Sequence, residues 1–166
     1  ADLAGFGQCG LMIAGLQRPV PVGPGGVHLG ERGRHREIVI EASPERVWTV
    51  LTEPEHVGVW FAESVEGDLR PGAASVLSWE EHGSFNIQVE KAEPPRYFSF
   101  RWAARSPGAD PGEGNSTLVE FRLIPEADGT RLHVVESGFR DLHDEQAEYV
   151  RDNTQGWVGA LDSLQR

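Results

Sequence analysis

The sequence predicts an α+β fold: a curved antiparallel sheet of about six or seven strands wrapped around one long C-terminal helix, with two short helices after the first strand. Three observations predict it. Between Val65 and Phe139, runs alternating between apolar and polar residues recur, separated by turn-forming residues, as in an antiparallel meander. Ahead of them, ASPERVWTVL (42–51) and PEHVGVWF (54–61) switch to a helical period. After them, Ala147, Val150, Thr154, Trp157, Leu161 and Leu164 recur at spacings of 3, 4, 3, 4 and 3, which places them on one stripe of a helix. Such a stripe must be buried, and the concave face of a twisted sheet is the surface that can take it.

In REIVIEA (36–42), Ile38 and Ile40 alternate with Glu37, Val39 and Glu41, as in a short strand. Ser43 then suits an N-cap and Pro44 the first helical position, with Val47, Val50 and Leu51 on one face. The residue before a proline avoids the α region, so Glu53-Pro54 ends this helix, and a second one runs to about Trp60 or Phe61. Strands follow at Val65 to Leu69, Ala74 to Glu81 and Phe85 to Ala92, separated by turns at Arg70-Pro71-Gly72 and His82-Gly83-Ser84. Pro94-Pro95 leads into RYFSFRW, in which Phe98, Phe100 and Trp102 share the inward face. After the loop SPGADPGEGN (106–115), Val119, Phe121 and Leu123 point inward, and Asp128-Gly129 turns the chain into a strand with Leu132 and Val134 inward. The last helix starts near Leu142, with Asp141 as its expected N-cap and Asp144 and Glu145 at its positive end. Inside it, Gly156 and Gly159 flank Trp157. Each costs about 0.5–1 kcal/mol relative to alanine, which predicts a close approach by a neighbouring element.

A chain of 166 residues suits one domain with a real core, expected at 37–166. Residues 1–36 read as a disordered leader: the first sixteen are apolar but too short and Gly-broken to span a bilayer, and the next twenty are dense in Pro, Gly and Arg. The chain does not start with Met, and Met12 is its sole methionine, as in a processed or mis-started leader. Residues 37–166 hold 11 basic against 24 acidic residues, a net charge of −13. Nucleic acid and anionic membranes both demand a basic footprint, so neither is an expected partner. The single cysteine, Cys9, can form neither an internal disulfide nor a thiolate metal cluster, which fits a reducing, cytoplasmic setting.

No Gly-rich phosphate loop and no G-x-S-x-G elbow is present, and His56, His82, His133 and His143 lack metal-ligand spacing, so neither cofactor nor metal is expected. Strand parity aligns Leu77, Trp79 and Glu81, and sets Glu136 in line with Leu132 and Val134. If both glutamates reach a cavity rim, they form the one acid–base pair available; otherwise they simply reach water. Arg101 and Arg122 share the outer face with Glu90 and Glu120, where ion pairs account for them.

Taken together, the ASPERVW helix start, Trp60, EGDLRPG, VEKAEPPRYFSFRW, LHVVESGF and NTQGWVGALDSL resemble the SRPBCC (START-like, birch-pollen-allergen-like) superfamily over about residues 36–166. Within it the likeness is greatest to the bacterial family named after the activator of heat shock protein 90 ATPase. In related chains the last helix usually runs further, which raises the question of a shortened C-terminus at Arg166. The resemblance implies a helix-grip fold with a cavity between the sheet and the long helix that holds a hydrophobic or amphipathic small molecule. Its lining would comprise Trp60, Trp79, Glu81, Phe98, Phe100, Trp102, Phe121, Glu136, Trp157 and Leu161. It also implies two alternatives: an interaction domain for a chaperone-type ATPase in a stress response, and an enzyme in the manner of the superfamily's cyclases and aromatases. A monomer and a homodimer both fit.

Overall fold

The computed structural model describes residues 34–142 and 146–166, with side chains from 35 to 142 and from 156 onward. The expected leader up to residue 33, the residues His143, Asp144 and Glu145, and the side chains of Ala147, Val150 and Thr154 lie outside the described residues.

Strand β1 (Arg34–Ile40) is followed by helices α1 (Pro44–Thr52) and α2 (Pro54–Trp60), then by β2 (Ser64–Glu66), β3 (Ala74–Trp79), β4 (Gly83–Glu93), β5 (Tyr97–Trp102), β6 (Thr117–Glu126) and β7 (Gly129–Ser137). A 3-10 turn (Phe139–Asp141) precedes α3 (Gln146–Gln165). The seven strands form one antiparallel sheet in the order β1-β7-β6-β5-β4-β3-β2. This is the expected meander, closed on one side by the first strand. A bulge between Val89 and Lys91 shifts the β4–β5 register, and such an insertion bends a strand, here in the middle of the surface that has to wrap.

Local chemistry explains the helices. Ser43 Oγ accepts the backbone N–H of Arg46 at 3.4 Å, Pro44 takes the first helical position, and Pro54 opens α2 directly after Glu53. The buried faces are Val47 and Leu51 on α1 and Val57 and Trp60 on α2. They meet the inward residues of the sheet, among them Leu77, Ile87, Phe98, Phe121 and Leu132, in one continuous core that also takes Trp157 and Leu161 from α3.

Several expectations shift. Strand β1 opens at Arg34, inside the expected leader, because His35 and Arg36 ladder with Val135 and Val134 of β7, and backbone pairing does not require apolar side chains. Strand β2 stops at Glu66, short of the expected Leu69, which is buried beyond it. Asp141 ends the 3-10 turn, and Leu142 directly after it is extended (ψ 133°) rather than helical, so Asp141 is not the N-cap expected of α3.

Gly129 shows how tightly β1 seats. Its φ is +155°, and a Cβ there would stand 2.1 Å from the carbonyl oxygen of Ile40. Gly129→Ala is therefore expected to destabilise the domain by about 2–3 kcal/mol, read as a lowered urea midpoint at unchanged slope.

Candidate functional site

The inner face carries a continuous aromatic cluster. Strand β5 supplies Phe98, Phe100 and Trp102, each at most 3 % exposed, and β6 supplies Phe121 beside them. From the helix side Phe61, at the C-cap of α2, stacks on Trp60 at 5.1 Å and on Trp157 of α3 at 5.0 Å, with interplanar angles of 24° and 14°. Trp79 meets the edge of Phe61 at 5.5 Å and donates its indole N–H to the Phe61 carbonyl at 3.0 Å. Trp60 donates to the Val50 carbonyl at 3.1 Å. These bonds matter because an unpaired buried indole N–H would cost about 1–3 kcal/mol.

Among the described residues, one carboxylate sits within this apolar interior. Glu136 is 1 % exposed, and its Oε1 accepts from Trp102 Nε1 at 3.0 Å and from Thr117 Oγ1 at 2.5 Å, while its Oε2 accepts from Trp157 Nε1 at 2.6 Å. The ladder places these groups: Trp102 stands opposite Thr117, and Val119, two residues on, stands opposite Glu136. The donors on β5 and β6 therefore lie diagonally from the acceptor on β7, and α3 brings the third donor from above. A carboxylate ion is a pure acceptor, and donors on both of its oxygens offset a desolvation cost of several kcal/mol.

Nine of the ten expected lining residues come together: Trp60, Trp79, Phe98, Phe100, Trp102, Phe121, Glu136, Trp157 and Leu161. Glu81 does not. It is exposed in the turn after β3, one residue beyond Glu80, whose backbone N–H bonds to Glu63. Glu136 is not at a rim either but sealed in, so the expected acid–base pair does not form.

The cavity also differs from expectation. Beneath the described part of α3, Trp157, Phe61 and Trp102 are in mutual contact and occupy the space where the cavity is expected. Among the described residues a small void of about 10 Å³ lies under α1 and α2, lined by Leu51, Val57, Trp60, Phe61, Phe98 and Phe121 among others, and every lining residue is apolar. That is room for one water-sized sphere, in a lining that offers water nothing to bond. An open cleft of about 530 Å³ between the β5–β6 loop and the 3-10 turn, bordered by Arg101, Ser116, Arg140 and Asp141, is polar and does not suit an apolar guest.

Two members of the site escaped the reading of the sequence. Thr117 was accessible to it, since it shares the inward parity of Val119 and Phe121. Phe61 was not, because it sits at a helix end where neither period applies.

On the outer face, Arg101 pairs with Glu90 at 2.5 Å and Arg122 with Glu120 at 3.5 Å, as expected of solvated ion pairs worth little each. Tyr97 Oη donates to Glu120 at 2.6 Å, and burial pushes its phenol above the ordinary range.

With this geometry in place, comparison with known proteins is informative. A sequence model described as "Activator of Hsp90 ATPase homolog 1-like protein" matches residues 41–166. The chain belongs to this family. Solved structures agree on the fold of this Hsp90-activator-homologue-like domain. MLL2253 from Mesorhizobium loti superposes with a TM-score of 0.68 at 24 % identity, over 81 % of this chain and 94 % of that one. The Aha1 dimer from Colwellia psychrerythraea gives 0.64 at 22 % identity, over 79 % and 91 %. DynU16, from the dynemicin biosynthetic locus, gives 0.65 at 24 % identity over 80 % of this chain; the match spans 45 % of DynU16. At such identities the likeness is one of fold. No curated protein matches by sequence. Among the described residues no helix is long and apolar enough to cross a membrane.

Proposed function

We propose that this domain binds a small apolar or amphipathic molecule against its aromatic inner face, the guest entering under α1–α2 and taking the place of the Phe61 ring. The observation that carries this reading is the all-apolar void that Phe61 helps to line. Phe61 is half-buried while the β5 and β6 aromatics around it are fully buried, and it follows the last residue of α2, so its ring can turn out without breaking a strand or helix. Its departure joins the void to the indoles of Trp102 and Trp157, and through them to Glu136, which supplies a polar end for an amphipathic guest. Binding is then coupled to opening, and affinity is reduced by the cost of displacing Phe61.

Phe61→Ala tests this. An apolar cavity opened by truncation stays dry and accepts small aromatics, so the variant is expected to bind benzene- or indole-sized compounds, shifting the indole N–H resonances of Trp60, Trp102 and Trp157. The unmodified protein should show the same shifts with a larger ligand able to displace the ring. A panel that moves no indole resonance in either protein would sink the reading.

A second reading, docking onto a chaperone-type ATPase, draws on the family's description, the −13 charge of residues 37–166 and Val59, which is 83 % exposed on α2. Failure to retain the chaperone of the same cell at low salt would count against it.

A further inference from the structure

The outer face of the β1–β7 pair brings together three metal-ligating side chains that the ligand site does not use. His35 and Glu37 lie two residues apart on the outer face of β1, and Glu37 stands directly opposite His133 of β7. Taking one donor atom from each, all three lie within 4.8 Å of one another. His35 Nε2 and His133 Nδ1 are 3.4 Å apart, long for a hydrogen bond. A tetrahedral zinc with bonds of about 2.0–2.1 Å holds its ligand atoms about 3.4 Å apart. The other ring nitrogen of His133 is screened from solvent and, although 2.8 Å from Glu37 Oε2, has no hydrogen bond.

The geometry points to a divalent metal site formed by His35, Glu37 and His133, of the class that takes zinc. Imidazole and carboxylate together suit Zn²⁺ and its neighbours Ni²⁺ and Cu²⁺ rather than Mg²⁺ or Ca²⁺, which prefer all-oxygen shells. Three protein ligands leave a fourth position for water. The two distances use different nitrogens of His133, Nδ1 toward His35 and Nε2 toward Glu37, and one ion takes only one of them, so the exposed His35 ring turns for all three side chains to meet at Nε2. Arg131 already holds Glu37 but is bonded to Glu126 as well, at 2.5 Å, so it retains an acidic partner when the metal takes Glu37. The ligands come from paired strands whose histidines are 98 residues apart in sequence, so the metal would tie the first strand of the domain to the last.

Isothermal titration of the full chain with zinc chloride in chelator-free buffer tests the site. His35→Ala and His133→Ala are each expected to weaken binding ~10-fold or more, Glu37→Gln to weaken it as well, and His56→Ala and His82→Ala, which alter histidines elsewhere, to leave it unchanged. Zinc bound to the native state alone should raise the unfolding temperature of the unmodified chain and not that of His35→Ala, a change at an exposed side chain that keeps the fold intact. Absence of binding below millimolar zinc overturns the proposal, leaving a surface cluster of two histidines and a carboxylate. Equal affinity in His35→Ala and the unmodified chain overturns it too, assigning the ion to other histidines.

Discussion

Trp157→Ala is expected to destabilise the domain by about 3–5 kcal/mol, the range for removing a fully buried large aromatic. Two losses add in this case. The ring leaves its stack on Phe61 and its contacts with Phe121 at 5.9 Å and Trp102 at 6.4 Å, and the indole N–H leaves Glu136 with one donor fewer. Among described side chains Trp157 and Leu161 are the two that α3 buries fully, so the helix loses half of its fully buried described anchors with one substitution. Chemical denaturation gives the magnitude. Limited proteolysis gives the location: cleavage within 143–166 should precede cleavage of the sheet. Trp157→Phe separates the two contributions, because it retains most of the stacking and removes the N–H; its expected cost is about 1–3 kcal/mol. A variant as stable as the original, or one cleaved first in the sheet, would show that α3 is held by other means.

Much of this arrangement could be read in the sequence where a side chain's direction follows from strand parity alone. Phe98, Phe100, Trp102, Phe121, Leu132 and Val134 alternate with polar residues, and the pleat then leaves them one face to occupy. The same parity turned Glu136 inward but could not give its depth, because burial depends on Trp157, 21 residues away, arriving over it on a separate helix. Glu81 shows the converse failure: the alternation from Trp79 continues through the letters while the strand has already ended. His35 was missed because the composition around it is that of a leader, whereas its position is fixed by hydrogen bonds to β7. The location of the void was out of reach for a further reason. Whether an aromatic interior is open or closed depends on how Phe61 and Trp157 stack, and pattern carries no information about a rotamer.

The interior's dependence on Glu136 gives the other large effect. Glu136→Ala takes away the carboxylate that accepts from Trp102 Nε1, Thr117 Oγ1 and Trp157 Nε1, and it opens a hole between β7 and α3. A cost of about 3–5 kcal/mol is expected, as for breaking a buried charged network by removing one member. Glu136→Gln keeps the volume and one acceptor oxygen but turns an NH₂ group toward donors that cannot receive it, for a smaller loss of about 1–3 kcal/mol. The decisive measurement is the cycle between Glu136→Gln and Trp157→Phe. If the carboxylate holds α3 through the indole, the double variant should cost less than the sum of the singles by about 0.5–3 kcal/mol, since the second change removes a bond the first has already spoiled. Strict additivity would mean that Trp157 anchors the helix by its ring alone, and that the buried carboxylate is held for something other than the attachment of α3.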